Sequence, residues 1–161
     1  SSNWIWTSYL NMASNSTFCS FTNNAGAGGT APLGTPISWL ISHSLTGDPA
    51  TEELSDPNGD RVPVWQDYIL GTDPSGANAS LKGIITRTAS GLVITFPGLS
   101  AGGEYGGKTR HYKLEGTMSL VPSSWQTILN YSDVTGNDIP VVYTNASPGL
   151  INYYRTRAWL Q

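Results

Sequence analysis

From residue 81 onward, apolar and polar side chains alternate with a period of two, as in His111-Tyr112-Lys113-Leu114-Glu115. Such alternation sets one face of an extended chain against a core and the other toward water, so it predicts half-buried strands. Six stretches carry the pattern: 81–87, 91–96, 110–116, 125–131, 139–144 and 151–159. Between them lie turn-forming clusters, including Ala-Ser-Gly at 89–91, the glycine-rich run 98–107, Val-Thr-Gly-Asn-Asp at 134–138 and Asn-Ala-Ser-Pro-Gly at 145–149. Six short strands at this spacing predict a mainly β chain whose residues 77–161 form a small antiparallel sandwich of the immunoglobulin or fibronectin kind.

Upstream, the period changes. Thr35 is placed to cap a helix with Pro36 at its first position, and Ile37, Leu40, Ile41 and Leu45 follow at helical spacing until Gly47-Asp48-Pro49 stops it. After an acidic loop, Pro63 opens a second short helix with Val64, Trp65, Tyr68 and Ile69 as its apolar side, and Gly71 ends it. Residues 34–76 are thus expected to be a helix, a loop and a helix. Residues 1–24 are different again: Trp4, Trp6 and Tyr9, then Phe18, Cys19 and Phe21, stand among Ser and Thr in a strand-like pattern. The run Ala-Gly-Ala-Gly-Gly-Thr-Ala-Pro-Leu-Gly at 25–34 reads as a small-residue linker, so residues 1–33 form a third region.

The acidic loop, Asp56-Pro-Asn-Gly-Asp-Arg-Val-Pro-Val-Trp-Gln-Asp67, has oxygen-bearing side chains at its first, third, fifth and twelfth positions. A twelve-residue calcium loop uses that spacing to wrap one hard cation. Asp56, Asn58 and Asp60 would offer side-chain oxygens, Val62 its carbonyl, and Asp67 would close the sphere from the following helix. Three departures lower the expected affinity: Arg61 where a sharp-turn glycine is usual, Val64 with no side-chain ligand, and Asp67 in place of the longer bidentate Glu. A solvated acidic turn is the plain alternative.

The run 34–74, GTPISWLISHSLTGDPATEELSDPNGDRVPVWQDYILGTDP, resembles a segment near the carboxy-terminal ends of large exported proteins of the Verrucomicrobia, Lentisphaerae and Planctomycetes group. Its pattern is a Gly-x-Pro-x-x-Trp-Leu helix, an Asp-rich dockerin-like or thrombospondin-type-3-like calcium loop, a Trp-Gln-Glu-Tyr-like helix and Gly-Thr-Asp-Pro. Pro36, Trp39, Leu40, Asp56, Asn58, Gly59, Asp60, Trp65, Gln66, Tyr68 and the run 71–74 match it. A small β-sandwich follows in that family, and the runs 111–120, 123–128 and 151–161 are similar to its strands. The resemblance covers residues 34–161 and implies an exported, calcium-braced module without catalysis.

Composition narrows the function further. A formal net charge of −3, with no cluster of Lys and Arg, leaves no electrostatic footprint for nucleic acid or anionic lipid. No apolar run approaches the ~18 residues of a membrane span. The sequence opens Ser-Ser-Asn-Trp rather than with a basic and then apolar leader, so an exported protein of this sequence is expected to have had its leader removed. The single cysteine, Cys19, excludes an internal disulfide.

Chemistry is sparse. His43 and His111 are the only histidines, neither in a metal-binding or nucleophile motif; both read as packing or surface residues. Glu52 and Glu53 are adjacent and read as a solvated face. No catalytic residue is expected. Two roles remain. In the first, the chain builds an extracellular fibre or surface structure with itself as partner, donating residues 1–24 through Trp4, Trp6 and Leu10 to a neighbour's sheet edge. In the second, Trp4, Trp6, Trp125, Trp159, Tyr105, Tyr112, Tyr153 and Tyr154 stack on polysaccharide and the chain anchors a larger exported protein; core packing is the ordinary use of such rings.

Overall fold

The computed structural model describes residues 28–76, 81–147, 149, 151 and 153–161. The leading segment with Trp4, Trp6, Leu10 and Cys19 lies outside the described residues. Among those described are three short helices, α1 (Ile37–Ser42), α2 (Pro49–Glu52) and α3 (Val64–Leu70), followed by seven strands. The strands are β1 (Ile84–Thr88), β2 (Gly91–Phe96), β3 (Arg110–Thr117), β4 (Gln126–Thr127), β5 (Val134–Thr135), β6 (Val141–Asn145) and β7 (Tyr153–Leu160), with a 3-10 turn at Gly103–Tyr105 before β3.

The strands form two antiparallel sheets that face each other in a small sandwich-like arrangement. One has the order β1-β2-β6. In the other, β3 pairs along its whole length with β7 and, on different residues, with β4 and β5. The alternation read from the sequence decides which side chains point inward. Ile94 and Phe96 of β2 meet Tyr112 and Leu114 of β3, with Ile128 closing the cluster. Each such buried side chain contributes about 1.5–3 kcal/mol relative to exposure.

Two of the expected elements are redrawn. The predicted strand 125–131 shrinks to β4, because Asn130 takes a left-handed backbone (φ 66°) and Tyr131 N–H turns back to the Ile128 carbonyl. The chain then returns to the sheet as β5, a strand the alternation did not single out. The first helix ends three residues before Leu45, because Ser44 is left-handed (φ 64°). Pro36, not Thr35, occupies the cap position of α1, and the buried Thr35 hydroxyl has no hydrogen-bond partner. Asp48 and Pro49, read as a stop, also start α2, with the Asp48 carboxylate accepting from Thr51 N–H.

The helices pack on one end of the sandwich through a second core. Trp39 meets Tyr68 edge to face at 5.3 Å, and Tyr68 stacks on Tyr105 at 5.0 Å. Ala31, Leu40 and Val64 complete this cluster, with Leu160 of β7 against it. The described part of the small-residue run is held in place: Thr30 bridges Pro36, Gly29 accepts from Ile37 N–H, and Ala31 is buried. Helix α3 lies against the 157–160 half of β7.

Arg110 joins the two cores. It is buried, its guanidinium donates to the carbonyls of Ile69 (2.7 Å) and Ser100, and it lies 4.6 Å from the Tyr105 ring centre. Ile69 sits in the last turn of α3, where carbonyls lack helical partners and favour a cation. Gly71 follows in a left-handed conformation (φ 74°), and a Cβ there would collide with the Arg110 guanidinium.

Candidate metal centre

The loop between α2 and α3 is closed at its base by backbone pairs, Val64 N–H to Ser55 carbonyl and Trp65 N–H to Glu53 carbonyl, each 3.0 Å. Within it, one oxygen of Asp56 accepts from Gly59 and Asp60 N–H and the other from Arg61 N–H at 2.9 Å. Asn58 accepts from Asp60 N–H and donates to the Gly76 carbonyl at 3.1 Å, tying the loop to the turn after α3. Asp60 accepts from Val62 N–H at 2.8 Å. These short-range bonds curl the backbone around the acidic side chains, as Asn and Asp do in tight turns. Gly59 (φ 72°) and Arg61 (φ 70°) are both left-handed, so the position where a calcium loop usually has glycine keeps that backbone although it is an arginine.

Asp67 projects from α3 and is fully buried. One of its oxygens accepts from the Thr72 hydroxyl at 2.6 Å; the other, like the second oxygen of Asp60, is buried with no hydrogen-bond partner. Burial pushes the Asp67 carboxyl up to about 6, against the Thr72 hydrogen bond, and the negative charges of Asp60, Asp56 and Asp73 raise it further. Asp73 itself is held below the usual carboxylate range by hydrogen bonds from Ser75. A shielded carboxylate oxygen without a partner needs a proton, a donor or a cation. The donors here, carboxylates, one amide and the Val62 carbonyl, are hard oxygens, and in that chemistry they suit calcium. Among the described residues, no three His, Cys, Asp or Glu side chains converge as a ready-made metal-binding group.

The spacing within the loop does not mark Thr72 or Asp73; the threonine turns back onto Asp67 because Gly71 ends α3 in a left-handed conformation. Glu53 is not on a solvated face: it is buried, with one oxygen accepting from Leu33 N–H at 2.9 Å and the other unpartnered. Glu52 accepts from Gly47 N–H. The two acids serve different neighbours.

The other candidate residues scatter. His43 packs on Trp39 and approaches its carbonyl at 2.9 Å, while His111 contacts Asp133 at 2.6 Å and stacks on Trp159. Tyr105 and Tyr112 are core residues, and Tyr154 sits in an inter-sheet row with Tyr143 and Tyr131. Trp125 lies under Arg155, and Trp159 is flanked by His111 and Lys113. Of the tyrosines proposed to stack on sugar, Tyr153 is the exposed one. No described helix is long and apolar enough to cross a membrane. Compared with protein families, with curated proteins and with solved structures, the chain matches none.

Proposed function

We propose that this protein is an exported, non-catalytic structural subunit, braced by calcium, that assembles with copies of itself outside the cell through β-strand donation. The observation that carries the reading is that both sheets keep open edges, of which β1 and β7 are two and β6 is another. Among the described residues, β1 pairs only with β2 and β7 only with β3, and every residue of β1 is exposed, Ile84 at 61% and Ile85 at 55%. Unpaired edges with exposed apolar side chains are templates for another strand, and proteins that do not use them hide them. The alternating aromatic segment 1–24 has the composition of a strand to be donated.

The role of calcium in this reading is to brace. Asp56, Asn58, Asp60, the Val62 carbonyl and Asp67 would hold the ion, whose charge would offset the carboxylate buried at Asp67. Three short helices have little core of their own, and an ion present at ~100 times its dissociation constant adds about 2.7 kcal/mol to the folded state. Extracellular loops of this kind bind at roughly 10⁻⁴–10⁻³ M, which suits calcium outside a cell.

Light scattering on the full chain, with and without calcium and beside a variant lacking residues 1–24, tests the proposal. Concentration-dependent polymers that vanish with the segment are expected. A monomer under all conditions overturns self-assembly, and binding to polysaccharide through Trp125 then becomes the competing explanation.

A further inference from the structure

Pairing of β3 with β7 gathers charges that the sequence disperses. His111 lies opposite Trp159, Lys113 opposite Arg157 and Glu115 opposite Arg155. Opposite residues share a face, and Tyr112, Leu114, Tyr154 and Ala158 occupy the inner one, so these six belong to the outer face. Glu115 is buried beneath its neighbours, accepting from Arg155 Nε at 2.6 Å and from Arg157 Nε at 2.9 Å, which aligns the two guanidiniums. Between the end of β7 and α3 lie two open hollows, of about 260 and 550 Å³, that meet at Trp65 and Ile69. Lys108 and Trp159 line the first, Gln66 and Arg157 the second.

Trp65 differs from the other tryptophans along the described chain. Trp39 packs on Tyr68 and His43, Trp125 under Arg155 and Trp159 on His111, whereas among the described residues Trp65 has neither a ring nor a cation against it. It is half-buried rather than sunk in the core, so ring surface is left for a ligand. The groove also selects by charge. Acids outnumber bases eleven to eight in the chain, yet no Asp or Glu lines either hollow and each hollow contributes one cation. The Arg157 side chain is 57% exposed, and its Nε contact with Glu115 leaves the terminal nitrogens for an outside oxyanion. Lys108 is exposed and makes no ion pair among the described residues.

We propose that this groove binds an acidic polysaccharide of the polyuronate class, with one sugar lying on Trp65 and carboxylates of the polymer meeting Arg157 and Lys108. The site stands apart from strand donation, since a monomer and a polymer would carry it equally. A pyranose ring offers a C–H face to an aromatic surface and polar groups at its edge, which matches an aromatic platform flanked by cations and the Gln66 amide. A neutral glucan would leave both cations unanswered. Nucleic acid fits poorly: a single-strand site stacks successive bases on several rings and its affinity grows with the phosphates neutralised, while this groove has one free ring and two cations. An acidic peptide carries its carboxylates on flexible stems that must be ordered on binding, whereas a uronate carboxylate is fixed to the same rigid ring that meets Trp65.

Calorimetry and tryptophan fluorescence on the full chain test the site, with short hyaluronate and galacturonate oligomers as probes. Uncharged chito-oligosaccharide, polyglutamate and single-stranded DNA of similar length are the comparators, and near-ultraviolet dichroism checks the fold of each variant. At least one polyuronate should bind, more weakly as salt rises, and more tightly than any comparator. The double variant Arg157→Gln, Lys108→Gln should lose affinity about ten-fold or more, while Arg87→Gln, on the exposed β1 of the other sheet, loses none. Trp65→Leu keeps an apolar side chain but removes the ring, and should lose affinity several-fold. No binding of either polyuronate overturns the proposal, as does equal binding of the uncharged oligomer or an equal loss from Arg87→Gln. Unchanged affinity in Trp65→Leu, or tighter binding of polyglutamate or DNA, overturns the saccharide as the occupant.

Discussion

Replacing Asp67 by asparagine separates two opposite effects of one carboxylate. In the metal-free fold the group is buried and its carboxyl is raised from 3.8 to about 6. A folded value above the unfolded one means that folding takes up a proton. The associated stability is fully present below the unfolded value and is lost as pH rises through about 6. At neutral pH the metal-free protein therefore carries an ionised, shielded carboxylate. Two pH units correspond to about 3 kcal/mol at 1.36 kcal/mol per unit; the loop gives only a thin cover of protein, so about 1–3 kcal/mol is expected. Asparagine keeps an oxygen for the Thr72 hydroxyl and carries no charge. In chelator at neutral pH, Asp67→Asn should be more stable than wild type by that amount, a rise in melting temperature of about 2–4 °C per kcal/mol for a chain of this size. In about 10 mM calcium, ~10–100 times the dissociation constant expected of such a loop, the gap should close or reverse, because wild type gains about 1.4–2.7 kcal/mol and the variant gains little. Urea titrations followed by tryptophan fluorescence, with and without calcium, measure both. A variant less stable than wild type in chelator refutes the burial argument; an undiminished calcium response refutes Asp67 as a ligand.

Arg61→Gly should stabilise the metal-free protein by up to about 1 kcal/mol, since a left-handed residue other than glycine costs about 1–2 kcal/mol and the freer unfolded chain returns part of it; an equal gain from Arg61→Ala in the same urea titration would show that strain at φ 70° is not the cause. Arg110→Met should cost about 3 kcal/mol or more, because it strips the buried cation from the Ile69 and Ser100 carbonyls and uncouples helices from sandwich; a loss below about 1 kcal/mol in equilibrium unfolding would mean that the two cores are independently held. Glu115 has the opposite pH dependence to Asp67. Its burial alone would raise its carboxyl, but Arg155 at 2.6 Å, with Arg157 and Lys113, holds it below the ordinary value. Its contribution is present above the unfolded carboxylate value and is lost as pH falls through the folded one; Glu115→Gln should flatten acid unfolding by about 1 kcal/mol or less, as Arg157 is well exposed.

The β-rich class, the strand of residues 91–96 and the helix ending at Gly71 were legible in the sequence because each rests on local physics: a period of two, β-branched side chains, a left-handed stop. The acidic spacing of residues 56–67 was equally legible, being a property of one continuous loop. What local pattern does not carry is the partner across space. Left-handed Asn130 splits an expected strand to serve hydrogen bonds with Leu114, and Glu53 is drawn inside by the Leu33 amide. Arg110, an ordinary polar position at the start of a strand, becomes the joint between two cores only because α3 ends above it. A cleft lined by Ile85 of β1 and by Tyr154 and Arg155 of β7 is of the same kind: its rims are about seventy residues apart in sequence and meet because the sheet of β1 and β2 lies against the sheet of β3 and β7. The sequence by itself determined which segments are strands, helices and acidic loop, through short-range periodicity and turn chemistry; tertiary structure decided which charges are buried and which edges stay open, since burial and pairing belong to residues distant along the chain.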